Sequence, residues 1–176
     1  MPERLRPTLI YADTCIYLDL ITRNEDPHKD TDEPRWKIAR RLFAAADDGR
    51  VRLAASPLIE AEVLCNGTTQ ARRERSEQVA DRLRTWFTSS ETLWVDIDRF
   101  IAREAARLSR EYGHLREGPK RFSAADAMHL AAAIRANCDY LLTHDNGYPT
   151  KQVIEGVHVQ RPAAVWAETL FERFDE

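Results

Sequence analysis

Four acidic residues stand at places where a carboxylate can gather with others to do chemistry. Asp13 ends a short apolar run, Thr8 to Ala12 (TLIYA), and Asp145 follows a similar run, Tyr140 to Thr143 (YLLT). Glu62 lies just beyond Val51 to Ala55 (VRLAA), and Asp126 sits among small apolar residues in SAADAMHLAAA, Ser123 to Ala133. In open α/β sheets, ligands bind beyond the carboxyl ends of the strands. Acids converging on such an edge would repel and raise one another's pKa values unless a divalent cation stood between them. An oxygen-only donor set, with no Cys or His grouping, points to Mg2+ or Mn2+.

Each acid also has an ordinary structural role. Asp13 can cap a helix, Asp126 can complement a helix dipole, Asp145 before Asn146-Gly147 can make a turn, and Glu62 can be a solvated helix residue. The combination of four carries the functional reading. Glu60 competes with Glu62, because residues two apart on a helix point to nearly opposite sides and their apolar neighbours do not decide between them. His129, one turn after Asp126, reads as a packing residue and stays outside the set. The loop Arg116 to Arg121 (REGPKR) leads into the Asp126 helix, so Arg116, Lys120 and Arg121 can hold phosphates beside a metal; a solvated loop is the alternative. Arg72, Arg73 and Arg75 read as a solvated face shared with Glu74 and Glu77.

The elements that must position these groups follow from pattern. Strands are expected at Thr8–Ala12, Val51–Ala55, Leu93–Val95 and Tyr140–Thr143, with a weak one near Val157–Val159. Helices are expected at Thr14–Ile21, Arg35–Asp48 (stopped by Gly49), Leu58–Leu64, 69–88, from Asp96 or Asp98 through Leu108, from a Ser123 cap to Ala136, and from Pro162. Residues 22–34, polar and with two prolines, read as a loop. Alternation of strands and helices predicts a mainly parallel sheet covered on both faces.

Length and composition agree. The 176 residues suit one domain, and 43% hydrophobic with 31% charged residues describes a globular chain. No apolar run is long enough to span a membrane, and the first residues lack a secretory pattern. Cys15, Cys65 and Cys138 are odd in number and widely spaced, which fits reduced thiols in a cytoplasm and gives no zinc motif. The net charge of −3 argues against a protein that coats nucleic acid, yet leaves room for a local basic rim.

Against this background, Leu9 to Leu18 (LIYADTCIYL) resembles the opening of PIN domains, where hydrophobic strand residues lead into Asp-Thr-Asn. Ser56 to Leu64 (SPLIEAEVL) resembles their second motif, in which a serine precedes the acid by six positions; that spacing selects Glu62 over Glu60. Ser123 to Ala133 is similar to the third motif, and Leu141 to Asp145 (LLTHD) to the fourth. The motifs come in the right order and span nearly the whole chain. The resemblance implies a PIN-like three-layer α/β/α sandwich over residues 1–176 and a metal-dependent endoribonuclease. It also implies kinship with VapC-like toxins, which a small antitoxin holds inactive. Two departures stand out: Cys15 replaces the usual asparagine, and residues 22–34 and 69–88 lengthen the chain.

On this reading Asp13, Glu62, Asp126 and Asp145 hold one or two Mg2+ or Mn2+ ions, Thr14 and Thr143 orient the carboxylates, and RNA is the substrate. Apolar residues of the 35–48 and 69–88 helices could serve a homodimer or an antitoxin, although a core-facing stripe is the simpler expectation. A haloacid-dehalogenase-type phosphotransferase wants a second aspartate where Cys15 stands, and a receiver domain wants a lysine after a late strand. The non-enzymatic alternative is a PIN-like scaffold that binds RNA or protein without cutting, with Cys15 as its support.

Overall fold

The computed structural model describes residues 6–65, 81 and 84–166. Six strands form one sheet: β1 (Thr8–Ala12), β2 (Val51–Ala55), β3 (Leu93–Trp94), β4 (Tyr140–Leu142), β5 (Gln152–Ile154) and β6 (Val157–Gln160). Their spatial order is β3-β2-β1-β4-β6-β5. All pairings are parallel except β5 with β6. The helices are α1 (Thr14–Thr22), α2 (Arg35–Asp47), α3 (Pro57–Cys65), α4 (Arg99–Tyr112) and α5 (Ala124–Arg135).

The central strands are apolar on both faces because helices cover both. Ile10, Tyr11 and Ala12 of β1 are fully buried, as are Ala54 and Ala55 of β2 and Leu141 and Leu142 of β4. Helix α1 packs on α2, and α4 on α5, giving the α/β/α sandwich. The stripe Ile38, Ala39, Leu42, Phe43 and Ala45 turns α2 inward. At its end Gly49 takes φ +70°, a left-handed conformation open to glycine at little cost. Asp98 caps α4 through the N–H groups of Phe100 and Ile101, both at 2.9 Å.

The chain runs from β1 to β2 and β3 on one side, then returns to β4 on the other. The sheet therefore reverses its winding between β1 and β4, the place where a crevice opens. Register aligns the strand ends there: Ala12 sits opposite Leu142, and the Asp13 N–H donates to the Leu142 carbonyl at 3.0 Å.

Several expectations need adjusting. The hairpin strand β5 was not anticipated, since only Ile154 of its three residues is buried and no alternating pattern marks it. Of the 69–88 helix, residues 84–88 are helical and most of the rest lies outside the described residues. Trp86 stacks on Phe43 at 4.4 Å, and Phe87 meets Tyr17, so these aromatics face the core. Residues 161–166 are not helical, and the remainder of the expected last helix falls outside the described residues. Among the described residues no helix is long and apolar enough to cross a membrane.

Candidate carboxylate site

Asp13 begins α1 as its N-cap, with Oδ1 accepting from the Thr14 N–H at 2.8 Å. Its other oxygen accepts from Thr143 Oγ1 at 2.7 Å and from the Cys15 thiol at 3.5 Å. The expected capping role and a site role are thus compatible: the cap fixes the carboxylate at the carboxyl edge of β1. Thr143 does double duty, because its Oγ1 also accepts the Asp145 N–H at 3.0 Å. Cys15 stands in for the usual asparagine by bonding to Asp13 on one side and accepting the His144 N–H at 3.4 Å on the other. Burial and the Asp13 charge push its pKa well above the ordinary thiol value, so it remains a neutral donor.

Glu62 lies on the face of α3 that meets this edge. Its Oε2 accepts from Thr14 Oγ1 and lies 3.0 Å from His129 Nε2. The hydrogen bond to His129 holds the Glu62 carboxyl below its usual range, against the opposing effect of burial. His129 is therefore part of the cluster and is not merely a packing residue. Its Nε2 is 3.8 Å from Asp13 Oδ1, and the ring is almost wholly buried. Burial opposes its protonation, yet Glu62, Asp13 and Asp126 outweigh that and raise its pKa. The spacing of Asp126 and His129, one turn apart on an Ala-rich helix, was the signal available in sequence. Position alone could not show which way the ring points.

Asp126 enters a capping box with Ser123: its Oδ2 accepts the Ser123 N–H at 2.8 Å, and Ser123 Oγ accepts the Asp126 N–H at 3.1 Å. Burial raises the Asp126 carboxyl, and the nearby charges of Asp145 and Asp13 raise it further. Asp145 makes the expected turn, accepting the Gly147 N–H at 2.7 Å through Oδ1, while Oδ2 pairs with Lys120. The turn must hold glycine: a Cβ on Gly147 would stand 2.8 Å from the Arg121 carbonyl oxygen.

The basic loop is only partly at the site. Lys120 reaches Asp145, and the charges of Asp126 and Asp13 act on it too. Arg116 folds back on the Gly113 carbonyl at 3.2 Å, and Arg121 is exposed at the entrance to α5. Lys29 of the 22–34 loop donates to Asn146, beside Asp145. Nothing in its polar neighbourhood could have marked Lys29. The loop is fixed from far along the chain by Arg161, which pairs with both Asp30 and Glu117.

One donor atom each from Asp13, Glu62 and His129 lies within 4.8 Å of the others. That spacing and the carboxylate-rich chemistry fit a divalent cation. Asp126 lies within electrostatic reach of Asp13, His129 and Asp145, but among the described residues neither Asp126 nor Asp145 joins that group.

The PIN domain sequence model matches residues 10–153. The chain belongs to the PIN domain family. No curated protein sequence matches it significantly. Solved structures share the PIN fold with it at low identity. A chain of VapBC2 from Rickettsia felis, bound to a DNA fragment from their promoter, aligns with TM-score 0.56 and 14% identity over 88% of this chain and 98% of that one. VapC20 of Mycobacterium tuberculosis, a sarcin-ricin loop cleaving toxin, gives 0.55 and 15% over 77% and 89%. FitAcB from Neisseria gonorrhoeae gives 0.53 and 19% over 87% and 97%. At these identities the likeness establishes the PIN fold.

Proposed function

We propose that this PIN domain is a Mg2+- or Mn2+-dependent endoribonuclease, the toxin of a type II toxin–antitoxin pair acting in the cytoplasm. The observation that carries the reading is the cluster of Asp13, Glu62 and His129 at the carboxyl edge where the sheet reverses, with Asp126 near enough for the charges of Asp13 and Asp145 to raise its carboxyl. Acids kept only for capping have no need to share one edge, where their charges oppose one another.

A divalent ion at this edge would lower the pKa of a bound water and stabilise charge on a scissile phosphate. The chain's own residues have defined parts in the reaction. Asp13 and Glu62 would supply oxygen donors, and Asp126 and Asp145, the other two acids of the expected set, would add negative charge beside them. Thr143 ties the Asp13 carboxylate to the Asp145 backbone, and Thr14 holds Glu62. Lys120 pairs with Asp145 and is exposed enough to exchange that partner for an RNA phosphate. Arg116 and Arg121 lie on the same loop and would follow the phosphate chain outward.

The toxin assignment is supported by the shared fold with VapC20, VapBC2 and FitAcB. A small antitoxin and a second copy of the chain are the protein partners it implies. Cys15, the support of the scaffold alternative, still donates to Asp13 Oδ2 at 3.5 Å. Induction of the chain in a bacterial host, with RNA 5′ ends mapped before and after, tests the reading. New ends and growth arrest are expected. Unchanged ends with folded protein present would favour the non-cutting scaffold.

A further inference from the structure

His129 is anchored from both ends. Its Nδ1 lies 2.9 Å from Tyr11 Oη, which lies 2.7 Å from Ser56 Oγ. All three side chains are buried to 1% exposure or less. The opposite nitrogen, Nε2, points between two carboxylates, 3.0 Å from Glu62 Oε2 and 3.8 Å from Asp13 Oδ1. Two donors on one ion bonded at about 2.1 Å stand about 3 Å apart at right angles and at most about 4.2 Å apart, so both distances from Nε2 lie within the reach of one ion. Histidines that bind metals characteristically give their other ring N–H to a fixed acceptor, which sets the tautomer and aims the ligating nitrogen. The Tyr11 hydroxyl, held in turn by Ser56, can serve as such an acceptor.

We propose that His129 Nε2 is a direct ligand of the divalent cation, making the centre a mixed nitrogen and oxygen set of Asp13, Glu62 and His129. This rests on the metal-dependent reading above and specifies which ion the site takes. Mg2+ prefers oxygen donors and gives up its waters reluctantly, whereas transition ions accept imidazole readily. The site therefore selects Mn2+ over Mg2+. Tyr11 and Ser56 become positioning residues that act through the ring.

The test is electron spin echo spectroscopy of Mn2+ on the untagged full chain, with natural-abundance or 15N-labelled histidine. Directly bound imidazole nitrogen should modulate the wild-type echo, change on labelling, and vanish in His129→Gln. His129→Gln should also bind Mn2+ at least tenfold more weakly, and Tyr11→Phe roughly tenfold more weakly. Mn2+ bound to wild type with no histidine coupling, or coupling and affinity retained in His129→Gln, would overturn the proposal and leave His129 as a hydrogen-bond donor to Glu62. If His129→Gln fails to fold, the absence of any histidine coupling in the labelled wild type still overturns the proposal. Failure of the underlying reading looks different: no Mn2+ binding by wild type, or undiminished binding by Asp13→Asn, removes the metal site itself.

Discussion

Asp13 accepts hydrogen bonds on both carboxylate oxygens, and the donor with the most connections is Thr143, which also fixes the Asp145 backbone. Replacing Thr143 with valine keeps the shape and removes both bonds. Activity or metal affinity should fall roughly 10–100-fold, with the RNA footprint unchanged; equal activity would show that Asp13 needs no such support. Lys120 belongs to the same scale. Lys120→Ala should weaken binding to single-stranded RNA and reduce the slope of log affinity against log salt by about 0.7, which a fluorescence titration over a salt series would read. Asp19 offers a pH test. It is buried and accepts from Asn24 at 2.8 Å, and its other oxygen is 3.3 Å from His144 Nε2 without hydrogen-bond alignment. Burial raises its carboxyl from 3.8 to about 6, with Asn24 and Arg35 lowering it and Asp26 raising it. His144 is pushed down to about 3, chiefly by burial, and stays neutral. The folded state thus holds the Asp19 proton more tightly than the unfolded chain, and this group's contribution to stability falls as pH rises from about 4 to about 6. Asp19→Asn should therefore raise Tm relative to wild type at pH 7.5 and lose that advantage near pH 4.5. An equal offset at both pH values would contradict the assignment.

At the scale of elements, caps and site coincide. Ser123 and Asp126 close the N-terminus of α5, and the same bonds place the Asp126 carboxylate. Ser123→Ala should cost about 1 kcal/mol in denaturant unfolding, while the Ser123 N–H that holds the Asp126 carboxylate remains. A loss of stability with full activity would separate the two roles. The strand ends that carry Asp13 and Asp145 were legible in sequence because β1 and β4 are short, apolar and stopped by an acid or polar turn. Glu62 was legible only through motif spacing, since α3 has apolar residues all round and its periodicity does not choose a face. His129 stood outside the expected set for a physical reason: a buried histidine in an Ala-rich helix looks the same in sequence whether it fills space or faces carboxylates. Lys29 was illegible because Arg161, more than a hundred residues away, sets its loop.

For the molecule as a whole, the sheet order brings β1 and β4 together only after the chain has built β2, β3 and the helices between them. We read residues 1–176 as one PIN-like domain, and thermal unfolding should then show a single cooperative transition by near- and far-UV circular dichroism. Divalent ions should raise that transition, because an ion bound to the folded state alone stabilises it by about 2.7 kcal/mol at a hundred times its Kd. The central claim is that this edge of the sheet cuts RNA through its acids. It is tested most directly by single-turnover cleavage of a pool of structured RNAs with Mn2+, Mg2+ or EDTA, comparing wild type with the double variant Asp13→Asn/Asp126→Asn. Metal-dependent cleavage that EDTA abolishes and the double variant loses by about 10²-fold or more is the predicted result. Cleavage that survives in the folded double variant, or none from a folded, inhibitor-free wild type in either metal, would contradict the account.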